Sequence, residues 1–172
     1  QRDAKGNVTC LYYDNMERLI AKVLATGALT SCSATPPTAT TAGVIFYTYG
    51  TSGTAKGQVT AIRRNDPGSS TAWYTHAFTY NPNGLLLTET KTIQSATASP
   101  ASYAATLTYG YDTWFRPSTV TYPDGEIVTT SYNSMGLPSG LTSSIQGTLV
   151  SNVTYDVAGR LTEMQLAAWG DL

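Results

Sequence analysis

The chain has 172 residues, with 10 Lys+Arg against 11 Asp+Glu, so its formal net charge is −1 and 12% of it is charged, about half the usual fraction for a globular domain. That balance excludes a basic nucleic-acid surface and an acidic solvating tail. No run approaches the roughly 18 apolar residues of a membrane-spanning helix, and no signal-peptide pattern opens the sequence.

Threonine (29) and serine (15) dominate, and 12 of the 18 aromatics are tyrosine. This composition suits half-buried pleated surfaces and predicts an all-β fold. The first residue is Gln1 rather than Met, which reads as a processed product or a piece of something longer. Cys10 and Cys32 are a candidate disulfide in an oxidising compartment, two buried thiols being the alternative. With two cysteines and one histidine, neither a metal nor another cofactor is expected.

In chain order, the first predicted strand runs into Tyr13-Asp14-Asn15-Met16-Glu17-Arg18-Leu19. The same pattern, Tyr, Asp or Asn, two variable residues, usually Gly, often Arg, then an apolar residue, returns along the sequence. A looser and longer copy spans Tyr49-Gly50 to Gly57-Gln58-Val59, and Tyr80-Asn81-Pro82-Asn83-Gly84-Leu85-Leu86 follows it. Then come Tyr111-Asp112-Thr113-Trp114-Phe115-Arg116-Pro117, Tyr132-Asn133-Ser134-Met135-Gly136-Leu137-Pro138 and Tyr155-Asp156-Val157-Ala158-Gly159-Arg160-Leu161.

An Asp or Asn opening a turn accepts a bond from the backbone two residues on, and Gly supplies the positive φ that reverses the chain. Each copy therefore reads as a hairpin loop of four to five residues. Glu17 and Phe115 stand in the Gly place, so those two turns must tolerate strain or take another geometry.

Asp66-Pro67-Gly68, Pro123-Asp124-Gly125 and Gln146-Gly147 mark turns at the opposite end of the strands. Each repeat is thus one hairpin of an antiparallel meander. After each Tyr turn an apolar residue recurs at a step of three: Val59 and Ile62, Pro117 and Val120, Pro138 and Leu141, Leu161 and Met164. Strict alternation has a step of two, so a bulge is expected as each strand leaves its turn. Lys22 and Glu89 break the rule in the first and third copies. Residues 31–43 and 94–105, rich in Ser, Thr, Ala and Pro, read as long polar surface loops. A short helical turn around Leu161–Ala168 is the one helix candidate.

The six copies resemble the YD repeats of the RHS family, found in bacterial RHS proteins, Tc toxin cocoons, wall-associated proteins and teneurins. The stretch from Tyr109-Gly110-Tyr111-Asp112 through Tyr122-Pro123-Asp124-Gly125-Glu126 to Tyr132-Asn133 carries the likeness most closely, and similarity extends over Thr9 to Gln165. The resemblance implies a single repeat array over 1–172, a spiralling, solenoid-like β-sheet strip. In larger members such strips close into a shell around a toxin. The family's Asp-Pro-x-x-Gly self-cleavage segment has no counterpart here, since Asp156-Val157-Ala158-Gly159 is a repeat turn, so self-cleavage is not carried over.

Candidate chemistry is thin. His76 lacks a Ser or Cys nucleophile beside it and reads as structural. Thr51–Gly57 superficially resembles a phosphate loop but leads into a strand pattern rather than a helix. Asp112, Asp124, Glu126 and Asp156 sit at turns, where repetition argues for a turn role over paired acid–base work. Asn7-Val8-Thr9 and Asn152-Val153-Thr154 match the glycan-acceptor pattern, which short chance matches also give. Rows of tyrosine either pack between hairpins or stack on sugars.

A strip of hairpins leaves two open edges, which are templates for further strands. The leading expectation is a non-enzymatic structural protein of the bacterial cell exterior that self-associates head to tail into a filament, sheath or wall. A neighbouring set of repeats in a longer chain is the other source of the contact. The alternatives are a fragment of a toxin-enclosing RHS shell and an extracellular glycan-binding adhesin.

Overall fold

The computed structural model describes residues 3–4, 6–24, 31–38, 41, 43–65, 73–94 and 102–167. They form an all-β, antiparallel chain of hairpins in two compact units that divide after Ala105. In the first unit the strands are β1 (Thr9–Tyr13), β2 (Leu19–Leu24), β3 (Val44–Tyr49), β4 (Val59–Asn65), β5 (Trp73–Tyr80) and β6 (Leu86–Gln94), each paired with the next in chain order. The second unit takes most of β7 (Ser102–Tyr111), then β8 (Pro117–Thr121), β9 (Ile127–Tyr132), β10 (Pro138–Ser143), β11 (Gly147–Tyr155) and β12 (Leu161–Leu166), paired in the same way. Among the described residues no helix is long and apolar enough to cross a membrane.

The step of three has its bulge at every Tyr turn. Tyr13 pairs with Leu19 and Tyr12 with Ala21, so Ile20 is skipped. The same omission falls on Thr60, Leu87, Ser118, Ser139 and Thr162, always the second residue of the outgoing strand. One extra residue returns the fourth position to the face of the first, which is why Ile62 shares a face with Val59 and Leu141 with Pro138.

Register then sorts the side chains of each unit. In the second unit one face carries Tyr109, Val120 and Val128 in a row and, alongside, Thr130, Leu141, Val150 and Leu166. The opposite face aligns Thr119, Thr129, Thr142 and Thr148. The first unit repeats the theme with Thr75 across from Thr92 and Thr79 from Thr88, whose hydroxyls lie 2.6 Å apart.

A single sheet layer buries little. Val8, Cys10, Ala21 and Val44 are the buried apolar residues among those described. Cys10 on β1 is bonded to Cys32, with Cα atoms 5.6 Å apart. Just beyond that bond, Pro36 and Pro37 border an open cavity of about 520 Å³ with Ala21 and Phe46.

Two expectations need correction. Residues 94–105 are not one loop: Gln94 ends β6 and residues 102–105 begin β7, because Ser, Tyr and Ala there pair as readily as they loop; 95–101 lie outside the described residues, as does the turn at 66–68. The Leu161–Ala168 segment is strand β12 rather than a helical turn. Pairing with β11 overrides its helix-tolerant composition, and Ala168 lies outside the described residues.

Candidate functional site

The Tyr turns share one bond pattern. At Asp14 the backbone N–H donates to Arg18 O at 3.0 Å, and Glu17 N–H donates back to Asp14 O at 3.0 Å. Three residues lie inside the closing bonds, with a left-handed residue and a bulge, and five residues separate β1 from β2, within the four to five expected. Asp14 Oδ1 accepts from the N–H of Met16 (2.9 Å) and Arg18 (3.0 Å), and Oδ2 accepts from Arg18 Nε at 2.8 Å. Asp112 holds Trp114 and Arg116 likewise, and Asp156 holds Ala158 and Arg160. Asn81 and Asn133 make the two backbone bonds through Oδ1.

The left-handed position has φ of 76° at Gly84, 79° at Gly136 and 76° at Gly159. Glu17 and Phe115 adopt the same geometry, at 61° and 62°, so those turns tolerate the strain. The second repeat differs. Gly50 stands where the others have Asp or Asn, and a Cβ there would lie 2.2 Å from Ala55 O. The chain closes instead through Gly50 N–H to Gln58 O and Gly57 N–H to Gly50 O. Only the three-residue 3-10 turn Gly53–Ala55 lies in Thr51–Gly57, which is a long hairpin loop leading into β4.

At four junctions a turn's tyrosine reaches back to the preceding repeat. The Tyr49 hydroxyl donates to Leu19 O (3.0 Å), Tyr80 to Val59 O (2.6 Å), Tyr132 to Pro117 O (2.6 Å) and Tyr155 to Pro138 O (2.7 Å). The acceptor is always the first residue of the preceding repeat's outgoing strand. Beneath two of these rings lies the arginine of the preceding turn: Arg18 Cζ is 4.4 Å from the Tyr49 centroid, and Arg116 Cζ is 4.0 Å from that of Tyr132. Tyr111 pairs with Pro117 at the mouth of its own turn. Tyr13, on the outer strand β1, is 55% exposed.

These bonds set the charge of the turns. The Arg18 side chain and backbone hold the Asp14 carboxyl below its ordinary value. At Asp112 partial desolvation acts the other way, yet the bonds from Arg116 and Trp114 prevail and hold it low. The Arg160 backbone and guanidinium do the same for Asp156. Burial pushes the Tyr80 phenol up, keeping it a donor.

The four carboxylates singled out from the sequence fall in three turns, Asp124 and Glu126 sharing one. Asp124 accepts from Glu126 N–H at 3.0 Å, and Glu126 accepts a short bond from the Ser143 hydroxyl. His76 Nε2 lies 3.2 Å from Glu89 Oε2 across β5 and β6, with Phe78 at 4.2 Å. Glu89 thus fills the place that is apolar in four other repeats with a polar group within hydrogen-bond distance of His76. Asn152, at φ 49°, donates its amide to Gln165 Oε1. Among the described residues no group of His, Cys, Asp or Glu could hold a metal.

One turn escaped the sequence reading. Asp3 N–H donates to Asn7 O (2.9 Å), Gly6 N–H to Asp3 O (3.0 Å) and Asn7 N–H to Asp3 Oδ1 (2.8 Å), with Gly6 at φ 83°. This is the bond pattern of the Tyr turns. It sits eleven residues before Asp14, just as the opposite turn opening at Tyr122 sits eleven before Asn133. The missing tyrosine hid it; the Asp-x-x-Gly spacing was the available signal.

No family model and no curated protein matches the chain. Solved structures do. The chain is similar to part of the Photorhabdus luminescens Tc holotoxin pore carrying a TccC3 substitution, with a TM-score of 0.53 and 13% identity over 92% of this chain and 9% of that one. Two crystal structures of TcdB2-TccC3, one designated TcdB2-TccC3-TEV, match at TM-scores of 0.53 and 0.51 with 14% identity and the same coverages. The chain therefore has the fold of a section of these proteins and spans under a tenth of their length.

Proposed function

We propose that this chain is a structural section of a YD-repeat wall of the RHS type, a non-enzymatic sheet that works by lateral continuation from hairpin to hairpin. The tyrosine step carries the reading: one contact, Tyr hydroxyl to backbone carbonyl, recurs at four junctions. The aspartates are meanwhile committed to holding turns. The likeness in fold to Tc toxin chains supports the shell form of the wall, an enclosure around another protein made by a bacterium for its exterior.

The second reading is a filament of copies, favoured by the exposed Tyr13 on β1 and the exposed Arg160 side chain beside β12, 81% accessible. Electron microscopy of the purified chain, with its mass in solution, separates the two. The wall section predicts a monomer or irregular association; ordered filaments with a hairpin-spaced repeat would overturn it in favour of the second reading.

A further inference from the structure

We infer that the first unit holds a ligand site: the cavity beside Pro36 and Pro37, which takes a small carboxylate carrying a flat apolar body. The wall role makes no use of this cavity. Its floor is one face of the sheet, where register sets Ala21, Phe46, Arg63 and Thr75 in a row across β2 to β5, with Ala61 alongside. Ala21, Ala61 and Thr75 are short side chains, which leaves room beside the Phe46 ring. The volume of about 520 Å³ falls in the range of small-molecule sites.

The two prolines that border the cavity are tied down on both sides. Before them Cys32 is bonded to Cys10 on β1. After them Thr41 O accepts from the Asn65 amide at 3.2 Å, and Gly43 N–H donates to Asn65 O at 2.8 Å. Asn65 ends β4 and is only 4% exposed. A boundary in place before a ligand arrives lowers the ordering cost of binding.

The polar groups set the class of ligand. Among the described residues lining the cavity, Arg63 carries the one charge and no carboxylate is present. Its Cζ lies 5.9 Å from the Phe46 centroid, which sets cation and ring side by side. A guanidinium presents its donors in a planar fork that matches a carboxylate, and it has enough of them to hold a ligand alongside other partners. Next to Arg63 in the register, Thr75 Oγ1 is buried with no hydrogen-bond partner among the described residues, a state that folded chains rarely leave unused. Thr75 borders the cavity, so the hydroxyl meets a ligand oxygen directly or after one rotation about Cα–Cβ that breaks no hydrogen bond. Phe46 and the two prolines take the apolar body.

The test uses the full oxidised chain, isotopically labelled for NMR, with phenylacetate and its uncharged counterpart phenylacetamide as probes. Phenylacetate should give saturable shifts at Ala21, Phe46, Ala61, Arg63 and Thr75. Phenylacetamide should bind about tenfold more weakly, the difference between a charge-assisted pair and a neutral one. Arg63→Gln should remove that preference for the acid. Thr75→Val keeps the side chain's shape, so it should leave the urea midpoint of the free chain unchanged or raised while weakening phenylacetate about fivefold. The tripeptide Gly-Gly-Phe, with a free carboxylate, distinguishes the sources: tighter binding than phenylacetate assigns the site to a chain end, and weaker binding to a free small acid.

No saturable shift at these residues with either the acid or the tripeptide would overturn the proposal. Equal affinity for acid and amide would do the same. So would a Thr75→Val chain that loses stability yet binds phenylacetate as before, since the hydroxyl would then serve the fold alone.

Discussion

At the residue scale, the turns put two non-glycine residues where glycine serves elsewhere. A left-handed L-residue costs about 1–2 kcal/mol, and glycine's extra chain entropy returns about 0.5–1 kcal/mol of that. Glu17→Gly and Phe115→Gly should each stabilise their unit by about 0.5–1 kcal/mol, read as a rise in urea midpoint. Gly136→Ala should do the reverse, since its Cβ would also meet the Arg116 guanidinium at 3.0 Å.

The turn aspartates set an acid limb. A carboxyl whose folded value lies below its ordinary 3.8 stabilises the fold fully above that pH. The contribution fades as pH falls through the lower folded value, because the unfolded chain then binds more protons. Urea midpoints across this range should fall on acidification below 3.8. Asp14→Asn, Asp112→Asn and Asp156→Asn combined should lower stability at neutral pH and flatten that limb, while an unchanged limb would count against the turn bonds as its cause.

At the element scale, the bulge was legible because Val59 and Ile62, or Pro138 and Leu141, are three apart in a strand-forming context, and only a bulge reconciles that step with a pleat. The turns were legible through Asp, Asn and Gly. The Asp3 turn was not, since no tyrosine precedes Asp3. Nor was the start of β7, because Ser102–Ala105 carries no alternation. The arginine–tyrosine stacks were out of reach as well: they join residues 31 apart at one step and 16 apart at another, a relation set by register rather than local pattern.

The disulfide acts at this scale too. It closes a loop of 22 residues over the first hairpins, which by chain entropy stabilises by about 3 kcal/mol. Reduction, or Cys10→Ala with Cys32→Ala, should speed amide exchange in β1–β3 and leave β8–β11 unchanged. Uniform acceleration would show that the bond stabilises more than its own hairpins.

At the scale of the whole molecule, a chain of local hairpins with so few buried residues draws its cohesion from junctions rather than from a central core. The second unit presents a tyrosine and aliphatic face and a threonine face, whereas in the first the threonines share their face with Ala21, Val44 and Phe46. The tyrosine step is the element that repeats regardless of turn length, surviving even the long loop between Tyr49 and Val59. The most direct measurement is hydrogen exchange on Tyr132→Phe beside Tyr13→Phe. The account predicts faster exchange across the junction of β8 and β9 in the first, by about 1 kcal/mol of local opening energy, and none in the second, whose hydroxyl bonds nothing among the described residues. Equal exchange in both variants would contradict the claim that tyrosine joins the repeats.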